Sequence, residues 1–214
     1  MIKQLKPLPD FLVSRYKNWK SSSYLSSEDH FKNLASLGQK PESMVISCCD
    51  SRVHATSIFG ADAGEFFIHR NIANLVPKYS PDGENHGTSA AIEYAVKELK
   101  IQHLIVLGHT DCGGIKSGYS LHSDNTNPDY DFINKWLSIL LPAFNNIAKD
   151  VSKSKQLELL EEESIKNSII NLFSFPYVKK AVENKNLSIH GLIHNIGSGG
   201  LKFLNPSSEE FENL

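Results

Sequence analysis

Two short apolar runs, Met44-Val45-Ile46-Ser47 and His103-Leu104-Ile105-Val106-Leu107-Gly108, constrain most what this chain can fold into. Each has the length and branched-residue content of a buried strand. Each also leads directly into residues able to carry chemistry: Cys48-Cys49-Asp50-Ser51-Arg52 after the first run and His109-Thr110-Asp111-Cys112 after the second. Open parallel sheets bind ligands at the carboxyl ends of their strands. Two thiols and one imidazole gathered there would make a three-ligand zinc site with one free position, the pattern of a catalytic rather than a structural zinc.

The intervening sequence supports a parallel arrangement. Val53 to Phe59 reads as a short helix, and a turn at Gly60 to Gly64 leads into a strand, Phe66-Phe67-Ile68-His69, closed by Arg70 to Asn74. Pro81-Asp82-Gly83 marks a turn in a polar segment. Thr88 or Ser89 then caps a helix with Ala91, Tyr94, Ala95 and Leu99 on one face. Strands alternating with helices predict an α/β fold with a central, mainly parallel sheet of four or five strands flanked by helices.

Further along, Gly113-Gly114 starts a helix, and a polar loop runs from Ser120 to Asp131. Ile165, Ile169, Leu172 and Phe173 form the apolar stripe of a longer helix on which Glu161-Glu162-Glu163 reads as a solvated face. Leu187 to Ile196 reads as a fourth strand, and Leu201 to Leu204 as an edge strand. Before the core, Pro9 to Leu37 reads as an N-terminal helical arm, broken at Ser22-Ser23, capped again at Ser26-Ser27 and ended by Gly38.

With 214 residues and 40% hydrophobic content, the expectation is one α/β domain over 1–214, with an arm at 1–37 and a metal-site core at 38–118. The 22 basic and 24 acidic residues leave a charge of -2 without long single-sign blocks, so neither nucleic acid nor membrane is an expected partner. Three cysteines, two of them adjacent, do not make a disulfide framework. The N-terminal residues carry no continuous apolar stretch, so the reading is a cytoplasmic protein.

If the first strand stays extended through its end, Cys48, Asp50 and Arg52 share one face, and Cys49 points the other way as a buried, inert thiol. His109 and Cys112 can reach a common ion, with Gly113 allowing close approach to the ion or its substrate. His190 and His194, four apart on a strand, lie about 13 Å apart and cannot chelate one ion together. They read as structural, and His54, His69 and His103 as packed or hydrogen-bonded.

Cys48-x-Asp50-Ser51-Arg52 and His109-x-x-Cys112-Gly113-Gly114 resemble the signature of the β-class carbonic anhydrases, and Arg70-Asn71-Ile72-Ala73-Asn74-Leu75-Val76 is similar to the family's segment between them. The resemblance runs from about Gln39 to Gly118 and more weakly to Gly200. It implies Zn2+ held by Cys48, His109 and Cys112, with Asp50 and Arg52 as a catalytic pair. It also implies a substrate pocket formed by Gln39, Phe67, Ile72, Tyr94 and Gly113. Gln39 matches the plant-like branch, in which the fourth zinc position is open; in another branch Asp50 would occupy that position in a closed state. Tyr94 matches a residue that a neighbouring subunit contributes, so a homodimer or larger homo-oligomer follows, with the arm packing on the partner.

The implied activity is reversible hydration of carbon dioxide to bicarbonate and a proton through a zinc-bound hydroxide. Two thiolates donate more charge to the metal than imidazoles would, so activity should rise through mildly alkaline pH. Two rivals use the same residues: a zinc hydrolase of carbon disulfide or carbonyl sulfide, and a structural zinc module in which Asp50 completes a closed four-ligand site.

Overall fold

A computed structural model describes residues 5–81, 86–123 and 128–214. Asp82-Gly83 of the predicted turn at Pro81-Asp82-Gly83 and part of the polar loop after Ser120 lie outside the described residues. The chain divides into two compact units, 1–40 and 41–214.

The first unit contains α1 (Asp10–Trp19), a π-helical turn (Lys20–Tyr24) and α2 (Glu28–Leu37). The expected break at Ser22-Ser23 is absent, because the hydroxyls of Ser21 and Ser22 donate back to the Asn18 carbonyl and the chain continues as a wider turn. Ser27 stands at the start of α2 without a capping side-chain bond. Trp19 packs on Tyr24 and Phe31, with ring centroids 5.4 and 6.0 Å away. Gly38, at φ 73°, ends α2 by donating to the Leu34 carbonyl.

The second unit is built on a six-stranded sheet in the order β2-β1-β3-β4-β5-β6. β1 (Ser43–Cys48), β2 (Phe66–Asn71), β3 (His103–His109) and β4 (Ser188–His194) are parallel. β5 (Leu201–Leu204) and β6 (Phe211–Asn213) continue the sheet antiparallel. The last is a three-residue strand that the sequence pattern is too short to announce.

Alternation along the central strands divides the core between two faces. Met44, Ile46, Leu104 and Val106 face α4 (Gly87–Tyr94), α8 (Lys153–Leu172) and α9 (Pro176–Glu183). Val45 and Leu107 face the opposite side with Val53 and Ala55, the latter opening α3 (Ala55–Phe59). Buried Leu137, Leu140 and Ala143, from α6 (Ile133–Leu137) to α7 (Leu141–Asn146), join Ile115 and Tyr119 in a third cluster. These last two lie on α5 (Gly113–Ser123).

α4 begins at Gly87 after His86, at least two residues earlier than a cap at Thr88 or Ser89 would place it, so Thr88 lies inside the helix rather than at its cap. Its hydroxyl instead meets His69 Nε2 at 2.9 Å and accepts from Asn71 Nδ2 at 3.2 Å. No helix among the described residues is long and apolar enough to cross a membrane.

β1 connects to β2 on one side, whereas β3 connects to β4 on the other. The order therefore reverses between β1 and β3, and their carboxyl ends open the crevice in which sheets of this kind bind ligands.

Candidate metal centre

Cys48 is the last residue of β1 and His109 the last of β3, so the sheet brings both to the same end of the crevice. Beyond His109 the chain turns at Asp111, which has φ 58°, and delivers Cys112 to the start of α5. The ligand atoms of Cys48, His109 and Cys112 all lie within 4.8 Å of one another, and the three residues are buried.

The donor set fits zinc. The two sulfurs are 3.9 Å apart, against about 3.8 Å for two thiolates at roughly 2.3 Å from one tetrahedral zinc. His109 Nδ1 lies 2.8 Å from the Thr110 carbonyl, so it carries the proton that it donates there. Its Nε2 is left with a lone pair, buried and without a hydrogen-bond partner, which is what a metal ligand requires.

The two sulfurs are within hydrogen-bonding distance of each other. The hydrogen bond from Cys112 lowers the pKa of Cys48, and the same bond, followed by burial, raises that of Cys112. Backbone N–H groups of Ile115 and Gly114, at the start of α5, favour the ionised Cys112.

Asp50 does not continue the strand. The chain turns after Cys48, and Asp50 Oδ1 accepts from the Arg52 backbone N–H at 3.0 Å, so the expected alternation of Cys48, Asp50 and Arg52 along an extended strand gives way to a side-chain-stabilised turn. The Arg52 guanidinium closes a bidentate pair, Nε to Oδ1 at 2.9 Å and Nη2 to Oδ2 at 2.7 Å. These bonds hold the Asp50 carboxyl well below the usual carboxylate range. Oδ2 stands 3.9 Å from His109 Nε2, at the edge of the site, with both carboxylate oxygens already engaged by Arg52.

Cys49 is exposed, contrary to the expectation of a buried thiol. The turn that begins after Cys48 swings it out of the sheet, while its N–H donates to the Asn71 carbonyl at 2.8 Å.

Two charged residues have roles that the sequence reading does not assign. Arg70 Nε donates to the Cys48 carbonyl at 2.9 Å, and its Nη2 donates to the carbonyls of Asp50 and Val53, each at 2.8 Å. It ties down the whole loop that carries Cys48, Asp50 and Arg52. Glu161 belongs not to a solvated face but to the interior: it is 6% exposed, and its Oε1 accepts the Cys112 N–H at 3.1 Å. Burial pushes its carboxyl up to about 7. A signal for it was present, because Glu161 stands four residues before Ile165 and so continues that apolar stripe.

The candidate pocket residues are spread differently. Ile72 is 37% exposed at the end of β2, its carbonyl accepting from Trp136 Nε1 at 2.9 Å. A Cβ on Gly113 would meet nothing within 4 Å, so space is open beside the ligands. The glycine needed for close packing is its neighbour Gly114, where a Cβ would lie 2.8 Å from Ile72 Cγ2.

Phe67 pairs with Met44, four residues along β1 from Cys48, or about 13 Å at the usual rise. Its ring packs 5.8 Å from that of Tyr94, which is 47% exposed. One chain therefore does not bring Phe67 up to its own candidate ligands. Gln39 lies in the first unit. At the opposite end of the strands, His103 Nδ1 and His190 Nε2 are 3.1 Å apart, a hydrogen-bonded pair as the structural reading expects.

Comparison with known families settles the relationship. Residues 43–201, which include every candidate ligand, match the carbonic anhydrase family. The chain belongs to that family. It is 36% identical over 192 residues to Beta carbonic anhydrase 3 of Arabidopsis thaliana, covering 88% of this chain and 73% of that protein. A second Arabidopsis thaliana relative, Beta carbonic anhydrase 5, chloroplastic, is 32% identical, and the match spans 87% of this chain but 61% of the relative.

Among solved structures, the β-carbonic anhydrase CcaA superposes with a TM-score of 0.86 at 27% identity, over 96% of this chain and 91% of that one. Tetrameric β-carbonic anhydrases from the ascomycete Sordaria macrospora give 0.79 at 31% identity, over 92% and 96%. The chain is thus a β-class carbonic anhydrase of the plant-like branch, and the α/β fold with its mainly parallel sheet is that of the class.

Proposed function

We propose that this β-class carbonic anhydrase catalyses the zinc-dependent, reversible hydration of carbon dioxide with Cys48, His109 and Cys112 as metal ligands and Asp50 with Arg52 as the catalytic pair. The observation that carries the assignment is the buried, unpartnered Nε2 of His109, set among two thiols at zinc-ligand spacing. Zinc, when bound there, supplies a Lewis acid that brings the ionisation of water into the neutral to mildly alkaline range.

Asp50 then accepts a hydrogen bond from the attacking oxygen, so that a lone pair rather than a proton faces the carbon of carbon dioxide. Arg52 keeps Asp50 ionised and correctly turned through its two guanidinium bonds. Arg70 holds the loop that carries both residues. Gly113 leaves room for the substrate, and its N–H steadies an oxygen of bicarbonate. Bicarbonate leaves in exchange for water, and the proton passes to buffer.

The pocket is completed by a second chain. Phe67 and Tyr94 stand together at a distance from their own Cys48, which supports their service to a partner's site beside that partner's Ile72. The exposed Phe11, Leu12 and Tyr16 of α1 support an arm that packs on the partner. Introducing charge on that apolar face, as in Phe11→Asp with Tyr16→Asp, should lower the oligomeric mass seen by sedimentation. Its three free cysteines support residence in a reducing compartment, which we take to be the cytoplasm. Fractionation of the source cells checks that placement.

Stopped-flow hydration of carbon dioxide by zinc-loaded wild type and Arg52→Ala tests the proposal. Wild type should be active, and Arg52→Ala should fall on the order of 10²-fold because Asp50 loses its orientation. An inactive wild type sinks the activity, and an undiminished Arg52→Ala sinks the catalytic pair. The structural-module reading needs Asp50 as a ligand, whereas here both of its oxygens are bonded to Arg52.

A further inference from the structure

Helix α8 places a carboxyl group against the metal centre for which the hydration chemistry has no use. A carboxyl group is costly to bury unless its hydrogen bonds are made, yet Glu161 is drawn inside while its neighbours Glu162 and Glu163 pair with Lys202 and Lys166. What draws it in is the close approach of α8 to the sheet. A Cβ on Gly108 would lie 2.7 Å from Ile165 Cδ1, and one on Gly191 would lie 2.9 Å from Ile165 Cγ2. Only glycine on β3 and β4 lets Ile165 sit this low, and Glu161 is one helical turn before it.

From that position Glu161 Oε1 receives the N–H of Cys112. The segment it bonds is the tightest in the site: two residues separate His109 from Cys112, and one of them, Asp111, is held at φ 58°. A non-glycine residue keeps that conformation only where its surroundings hold it. Lys116 pairs with the Asp111 side chain from outside, and Arg52 donates to the Asp111 carbonyl at 3.2 Å. Glu161 is the anchor from the interior.

We infer that Glu161 is a positioning residue of the metal centre: by accepting the Cys112 N–H it fixes the turn between His109 and Cys112 and aims the Cys112 thiolate at the shared ion. It touches neither substrate nor metal, and the inference rests on the reading of Cys48, His109 and Cys112 as ligands. Loss of such an outer support weakens metal binding by about 10- to 100-fold.

The test is zinc affinity, measured on the full-length protein by competition with a chromophoric chelator. Glu161→Gln keeps an acceptor at the same reach and should bind zinc within about threefold of wild type. Glu161→Asp withdraws the acceptor by one methylene, and Glu161→Leu removes it in a side chain of similar size. Each should weaken zinc by about 10- to 100-fold, and either one suffices if the other does not fold. Aspartate or leucine variants that hold zinc as tightly as wild type would overturn the inference, as would a glutamine variant as weak as they are. A wild type that loses zinc to the chelator outright removes the ligand reading itself, and this inference with it.

Discussion

Gly114→Ala is the most informative single-atom change in the protein. The added Cβ would stand 2.8 Å from Ile72 Cγ2, 2.9 Å from Ala73 Cβ and 3.3 Å from the Ala73 backbone nitrogen, whereas carbon atoms in good contact sit about 3.5–4.0 Å apart. Neither neighbour can retreat. Ala73 is fully buried at φ 62°, and the Ile72 carbonyl is held by Trp136. The first turn of α5 must therefore move by roughly 1 Å.

Overpacking of this kind costs about 1–3 kcal/mol, offset by up to about 1 kcal/mol because alanine is the better helix former. A net loss of about 1–2 kcal/mol lowers Tm by roughly 2–8 °C in a chain of this size. The effect on hydration should be larger, on the order of 10²-fold, since the turn that moves carries Cys112 and Gly113. Ala73→Gly removes one of the colliding carbons and relieves the positive φ, so the double variant should recover part of both losses. Thermal melts and stopped-flow hydration of the four proteins in this cycle provide the readout. A Gly114→Ala protein with wild-type Tm and activity, or a double variant no better than Gly114→Ala, would refute the packing argument.

Other expectations follow from the same contacts. Burial raises the Glu161 pKa from 4.5 to about 7. A raised folded pKa means stability that is fully present below about pH 4.5 and lost as pH climbs through about 7, worth roughly 3 kcal/mol. Urea melts of zinc-stripped protein at pH 5 and pH 8 should show wild type losing that much relative to Glu161→Gln; parallel behaviour at both pH values contradicts it. Cys49→Ser should keep zinc and activity within about twofold, because the thiol faces solvent; zinc loss would make Cys49 a ligand. Arg70→Gln abandons most of the three carbonyl bonds under the Asp50 loop and should lower hydration by about tenfold or more with zinc still bound. Full activity would show that the loop holds itself.

How much of this was legible beforehand differs between the backbone and the site's supports. Cys48 and His109 were found because each follows an unbroken apolar run, and hydrophobic burial is a local signal that a strand carries in its own residues. The turn after Cys48 was not, because it depends on Asp50 bonding the backbone two residues on, and the same letters are compatible with an extended strand. Glu161 and Arg70 were missed for a tertiary reason. A charged side chain reads as solvated unless its partners are known, and their partners are backbone groups 49 residues away for Glu161 and 17–22 away for Arg70. The short β6 has too few residues for any period to register. Phe67 and Tyr94 were named through the family resemblance, and only the register of β1 with β2 puts distance between them and their own Cys48.

Zinc at Cys48, His109 and Cys112 is the centre of the proposed function. Its most direct test is carbon dioxide hydration recorded by stopped flow while zinc-stripped protein is titrated with zinc, wild type beside Cys112→Ser. Activity should climb to a sharp end point at one zinc per chain in wild type and stay near background in Cys112→Ser. An end point elsewhere, no activity at any zinc level, or a Cys112→Ser protein as active as wild type would contradict it.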